Sequence, residues 1–377
     1  MKTDLAPKYT LKIDATSILW FQKSNRYIVV SESIYTLISL YLEVTSKADF
    51  INELQDVLQI DNSECETIYT EISNFLIDAN KSYEDDAEAT VLQSIPKITR
   101  AQTYDFGGKV IRINFQSEII ESLIHPQIEH HLTDHSKHFD IEFDVFKRSD
   151  TLYLFKNKSF VCSFKTEAFH LLQGRFALEL TNAIHNTDPH KWVATFHAST
   201  ITNTSEAIMI IGDSGNGKST LSALLMANGF ELLADDFSPF YETKNVFRYP
   251  AAISIKKGAF EILEPHFRGF NKLKTHMNGP KKVNLKYLPP KSNFNSSPSN
   301  FPCQTIVSVK YDQTKASELK QVSVEKIVST LIPDSWISPN ETHAHLFLNW
   351  LKHVKCYELN YSDSAFALSK FKTLFDE

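Results

Sequence analysis

The chain has 377 residues, of which 42% are hydrophobic and 22% charged, with a formal net charge of −6. That length allows two or three domains, each with a core of its own, and the acidic balance gives no electrostatic reason to expect nucleic acid or an anionic membrane as partner. No apolar run approaches the roughly 20 residues of a membrane-spanning helix. The opening MKTDLAPKYT lacks the apolar core of a secretion signal, so a cytoplasmic location is expected. Cys65, Cys162, Cys303 and Cys356 are far apart with no C-x-x-C pair, which reads as reduced structural thiols.

Residues 1–80 read as a unit. Apolar clusters at Leu11–Ile13, Ile18–Phe21 and Tyr27–Val30 predict short strands, with Lys23-Ser24-Asn25 as a turn. Three helices follow by periodicity. The first carries Ile34, Leu37, Ile38, Tyr41 and Leu42. The second carries Phe50, Leu54, Val57 and Leu58 behind a Ser46 cap. The third carries Ile68, Ile72, Phe75 and Leu76 behind Ser63, with Glu66 completing a capping box. This layout resembles the PqqD-like peptide-recognition domain of peptide-modifying enzymes, a winged-helix-like module. The resemblance implies that a peptide adds as a strand to the sheet edge, held largely by main-chain hydrogen bonds. A small winged-helix-like module used for dimerisation has the same layout.

Residues 81–100, beginning KSYEDDAEAT after Asn80 and meeting Pro96, read as a polar, acidic linker. Residues 101–190 read as an α+β region. Strands are expected at Lys109–Phe115, Asp140–Phe146, Thr151–Phe155 and Phe160–Phe164, and helices at Ser117–Ile124 and Thr166–Ile184. His125, His130, His131, His135 and His138 lack the acidic partner of an H-E-x-x-H site and are expected to be solvated.

Residues 191–377 hold the chemistry. Gly212-Asp213-Ser214-Gly215-Asn216-Gly217-Lys218-Ser219 matches G-x-x-x-x-G-K-[ST], followed by Thr220. Glycines let backbone N–H groups close round an anion, a lysine reaches the β/γ-phosphates and a hydroxyl can ligate Mg²⁺. The flanks fit, since Ile208–Ile211 is a continuous apolar run and Leu221, Leu224 and Leu225 have helical spacing. Gly229 caps that helix, and Phe230–Ala234 leads to Asp235 and Asp236 at a strand end, where a metal or a general base belongs. The site is therefore read as one for a nucleoside triphosphate with Mg²⁺.

The short interval from Ser219 to Asp235 is unusual among phosphate-loop proteins. With GDSGNGKS at 212–219, LLADD at 232–236 and His197 fifteen residues before Gly212, the region resembles the HPr kinase/phosphorylase family, whose core belongs with phosphoenolpyruvate carboxykinases. A looser likeness to HPr-kinase-like proteins of peptide modification covers the Pro-x-x-x-x-x-Lys segment Pro250–Lys256 and the run Tyr287-Leu288-Pro289. The resemblance implies that Lys218 and the loop amides hold the phosphates of ATP and that Ser219 with Asp236 holds Mg²⁺. It makes Asp235 the base, with His197 assisting, and Arg248 and Lys256 further phosphate contacts. Strand alternation turns the two acids to opposite sides, and spacing does not decide which faces the nucleotide. Thr220 stands where HPr kinases continue with Glu, and no Glu-x-Arg-Gly-type segment follows. Neither HPr as substrate nor phosphorolysis is carried over.

After Lys256 come Arg268, Lys272, Lys274, Lys281, Lys282 and Lys286, then KSNFNSSPSN, a basic stretch that either folds over substrate or remains a surface loop. A strand at Gln304–Tyr311 and helices near Val324–Leu331, Ala344–Lys355 and Ser364–Phe375 are expected to close this domain. The expectation is thus an α/β and α+β multidomain chain acting as an ATP-dependent kinase on a Ser/Thr hydroxyl of a precursor peptide or small protein, possible as a homo-oligomer. A small-metabolite kinase and a non-catalytic nucleotide-dependent switch share the same motifs.

Overall fold

The computed structural model describes residues 2–82, 95–98, 100–134, 138–278, 283–291, 294 and 298–376. Most of the expected linker 81–100, together with His135, Lys281 and Lys282, lies outside the described residues. The chain is a mixed α/β protein with several sheets. Among the described residues no helix is long and apolar enough to cross a membrane. It divides into two compact units, and their composition departs from the expected segments. The first joins residues 1–85 to Ser323–Pro333 and Ile337–His353, and the second holds most of the remainder.

In the first unit, strands Tyr9–Ile13, Thr16–Phe21 and Arg26–Ser31 form an antiparallel sheet in chain order. Alternation gives the middle strand two buried faces. Leu19 and Phe21 enter a core with Ile38, Tyr41, Phe50, Leu54, Ile72 and Leu76 from helices Glu32–Glu43, Lys47–Leu58 and Asn62–Ala79. On the other face Tyr9, Trp20 and Tyr27 form a cross-strand row. Tyr27 meets Phe347 of helix Glu341–His353 edge-on, with ring centroids 5.2 Å apart. This is why the predicted boundary fails. Helix Glu341–His353, expected to close the C-terminal domain, supplies the second cover of the N-terminal sheet. The second helix is capped by Ser46 as expected, but Val57 and Leu58 are exposed and Ile51 is buried in their stead. The third begins two residues early, on Asp61 with Glu64 completing the box, and not on Ser63 and Glu66.

In the second unit a five-stranded sheet runs in order Arg100–Asp105, Val110–Phe115, Ile141–Arg148, Thr151–Lys156, Ser159–Lys165, backed by helix Phe169–His185. The predicted helix at Ser117–Ile124 is shortened to Glu118–Glu121, and a separate turn of helix that was not expected, His125–Ile128, starts beyond it with Pro126 in its first turn. The core under the sheet includes Ala234, Tyr249 and Ala251, so the expected division near residue 190 separates no compact body.

The larger sheet positions the site. Its strands run in the order Glu231–Ala234, Ser199–Thr202, Ala207–Ile211, Asn300–Tyr311, and Lys355–Tyr361 pairs in parallel with Asn300–Tyr311. Ala207–Ile211 is also parallel to Asn300–Tyr311. Ser199–Thr202 is antiparallel to both its neighbours, so Glu231–Ala234 points the same way as Ala207–Ile211. Four strands therefore deliver their carboxyl ends to one edge, where open α/β sheets bind ligands. Helices Lys218–Ala227 and Ser364–Asp376 cover one face through Leu221, Leu225, Phe371 and Leu374. The segment after residue 250 is no loop throughout: Ile253–Lys256, Val283–Leu288 and Thr275–Asn278 form a third sheet. The two loosely family-like segments are thereby neighbours, Ile253 facing Leu288. Lys286 is buried and donates to the carbonyls of Phe270 and Asn271 at 3.0 Å each, so it is structural.

Phe347 is fully buried. Phe347→Ala should therefore cost about 3–5 kcal/mol in urea unfolding, and amide exchange in Thr16–Phe21 and Arg26–Ser31 should quicken. Unchanged exchange in those strands would show that helix Glu341–His353 does not support them.

Candidate functional site

Strand Ala207–Ile211 is buried throughout and ends in the glycine-rich turn. Gly212 has φ +148°, and a Cβ there would lie 2.6 Å from the Val309 carbonyl oxygen of the adjacent parallel strand. Gly217, at φ +90°, caps helix Lys218–Ala227, and a Cβ on it would meet the Tyr361 hydroxyl at 2.9 Å. Only glycine allows both the dihedral and the approach. The helix leaves its first amides without intrahelical partners at the loop, which suits an anion. Lys218 is buried, with Nζ donating to the Gly212 carbonyl at 2.5 Å and to the Asp213 carbonyl at 3.4 Å. Its charge is held in the middle of the loop. The expected helix stop is present, with Gly229 at φ +102° and the Phe230 amide donating back to Leu225.

The two acids differ sharply. Asp235 is 4% exposed and accepts from the Ser199 hydroxyl, from the Ser219 hydroxyl at 3.3 Å and from the Ser254 amide at 3.3 Å. Burial, and then the neighbouring Asp236 charge, push its pKa up to about 7, against the pull of those donors. Asp236 takes a left-handed conformation, φ +59°, which Asp tolerates better than most residues. That turn swings its carboxylate into the open, with the side chain 48% exposed and Oδ1 4.0 Å from Nε2 of His197. Expectation made Asp235 the base and Asp236 the metal ligand. In the structure Asp235 is closed against the Ser219 hydroxyl and Asp236 lies open beside His197.

A cavity of about 360 Å³ runs over the loop. His197, Asp213, Ser214, Gly215, Gly217 and Lys218 line it, as do Ser219, Thr220 and Asp236; Gly212 and Asn216 of the loop are not part of its lining. Asn216 accepts at its carbonyl from the Tyr311 amide at 3.1 Å, which fastens the loop to the next strand. Lys256 reaches the cavity and donates to the Ser214 hydroxyl at 3.0 Å, putting a second cation at the loop. Arg248 does not reach it. It is buried, paired with Glu231 at 2.9 Å and donating to the Leu232 carbonyl at 2.7 Å, so it anchors the strand that carries the acids.

Sequence reasoning missed Ser199, Ser254, Tyr311 and Tyr361. Isolated serines and tyrosines carry no motif, and only the convergence of strand ends brings them here. Two of the histidines depart from expectation, whereas His130 and His138 are exposed. His125 hydrogen-bonds the Tyr104 hydroxyl at 2.8 Å, and His131 Nε2 donates to the Pro250 carbonyl at 3.0 Å while its ring lies tilted against Phe106. Both are packed groups and not solvated ones. Among the described residues no group of three or more His, Cys, Asp or Glu gathers as a ready metal cluster.

The Asp235 environment predicts a pH dependence. Between 3.8 and about 7 the unfolded chain has released this proton while the folded chain keeps it, so stability falls as pH rises across that window. In chelator-treated protein, Asp235→Asn should melt higher than wild type at pH 8, with the gap closing toward pH 4. Equal melting temperatures at pH 8 would contradict the burial of a charged Asp235.

No protein-family model matches the chain, and no curated protein matches its sequence.

Proposed function

We propose that the chain is an ATP-dependent kinase that transfers a phosphoryl group to a serine or threonine hydroxyl of a small peptide or protein. The observation that carries this reading is the division of labour between two adjacent acids at a complete phosphate loop: one buried on the loop hydroxyl, one open beside a histidine. Phosphoryl transfer needs charge neutralisation, in-line positioning and one proton acceptor. The loop amides, Lys218 and Lys256 supply the first. Asp236 accepts the proton of the attacking hydroxyl as its oxygen bonds to the γ-phosphorus and the bond to the ADP oxygen breaks. His197, within 4.0 Å, orients that carboxylate.

The residues fit the expected ion. Ser219 and Asp235 offer hard oxygen ligands of the kind Mg²⁺ takes, which usually keeps few protein ligands and completes its shell with phosphate and water oxygens. Held there, Mg²⁺ would neutralise phosphate charge during transfer. Asp235, protonated up to about pH 7 by its burial, would be held as carboxylate by the ion.

The core is read as HPr-kinase-like, of the phosphoenolpyruvate carboxykinase type, and the N-terminal sheet with its three helices as a PqqD-like docking module. What supports docking is strand Arg26–Ser31: it pairs with Thr16–Phe21 on one side, and among the described residues no strand pairs with its other side. A peptide added there would raise the local concentration of its hydroxyl for the core on the same chain. A cytoplasmic setting fits both ATP and the four free cysteines.

Incubation with MgATP and a Ser/Thr peptide library, read by intact mass, should give phosphopeptide. Asp236→Asn should lower the rate by about 10²–10⁴ while MgATP binding persists, whereas Asp235→Asn should raise the Mg²⁺ concentration needed. If Asp236→Asn keeps full transfer, the base assignment fails. If free serine or glycerol is phosphorylated as well as any peptide, a small-metabolite kinase replaces the peptide kinase. Deleting residues 1–80 is no clean test of docking, because it would uncover Phe347.

A further inference from the structure

Tyr311 and Tyr361 stand at the carboxyl ends of Asn300–Tyr311 and Lys355–Tyr361. In strand order the acids come first, the phosphate loop lies between, and the two tyrosines follow on the far side. A triphosphate laid along the loop with its terminal phosphate at Asp236 therefore sends its other end toward the tyrosines. Their rings pack 5.3 Å apart at 58°, and both border the cavity. The same cavity has an apolar rim, Ala259 and Ile262, from the segment just after strand Ile253–Lys256. Ile262 is 41% exposed, a large apolar side chain on the lining of this space. None of these four residues takes part in the phosphate chemistry derived above.

We propose that Tyr311 and Tyr361, with Ala259 and Ile262 of the same cavity lining, form the seat of the nucleoside, taking the base by stacking and apolar contact. This rests on the reading of the loop as a triphosphate site and extends it to the donor's other end. Aromatic faces and aliphatic side chains accept a flat heterocycle without needing its polar edge. The Tyr361 hydroxyl lies beside Gly217 of the loop and the Tyr311 hydroxyl accepts from Gln313 at 2.8 Å, and the two ring faces supply the stacking surface.

The test compares Mg-tripolyphosphate, which has no nucleoside, with MgATP by calorimetric titration of the full chain. Wild type should bind MgATP about tenfold or more tighter than Mg-tripolyphosphate. Tyr311→Ala and Ile262→Ser should each remove most of that preference and leave tripolyphosphate binding within about twofold, the base contribution being confined to one end of the ligand. Ile262 is exposed enough that its replacement leaves folding intact, which covers the case in which Tyr311→Ala does not fold. ATP preference retained in Ile262→Ser and Tyr311→Ala overturns the proposal, as does equal wild-type affinity for the two ligands. Tripolyphosphate binding that is lost in Lys218→Ala would then show that the phosphate loop stands without this seat. Absence of binding by either ligand overturns both readings.

Discussion

The site depends on how the chain leaves the strand Ala207–Ile211. At Gly212 it turns so close to the next strand that a Cβ would stand 2.6 Å from the Val309 carbonyl oxygen, a distance no side chain can tolerate. Because it does, the loop stays over the sheet edge, fastened to the next strand by the Tyr311 amide and held at its centre by Lys218. A loop lifted away by a Cβ would lose all three relations together. The extra conformational freedom that glycine gives the unfolded chain, lost on folding, is the ordinary penalty for such a turn.

The same edge gathers the rest because of strand direction. Three parallel strands and a fourth brought round by two antiparallel steps bring the loop, Asp235–Asp236 and both tyrosines to one rim. His197 arrives from the opposite direction, just before Ser199–Thr202 starts. Arg248 contributes from beneath by securing Glu231 and the Leu232 carbonyl, so the strand that ends in the acids is fixed at its start. Charge is handled by contrast: one carboxylate is desolvated and wrapped in three donors, while its neighbour is swung into solvent by a left-handed turn.

Much of this was legible in order and little in grouping. The helices Glu32–Glu43 and Lys218–Ala227 were readable because their apolar spacing and termini are local signals. The cap of Asn62–Ala79 was misplaced because two overlapping box patterns, Asp61 with Glu64 and Ser63 with Glu66, lie two residues apart, and local pattern does not rank them. Ser199–Thr202, Asn245–Phe247 and Lys355–Tyr361 were not foreseen. The first two are too short to show alternation, and the third continues an apolar pattern from the preceding helix.

The order of residues alone determined the glycine-rich loop, its helix and the pair of acids, since those depend on glycine dihedrals, a fixed run of side chains and contacts a few residues apart. Tertiary structure decided which acid is buried and which is open, that Arg248 is a brace, and that Phe347 completes the N-terminal sheet. The reason is range: a dihedral preference belongs to one residue, whereas burial belongs to whatever distant segment packs against it.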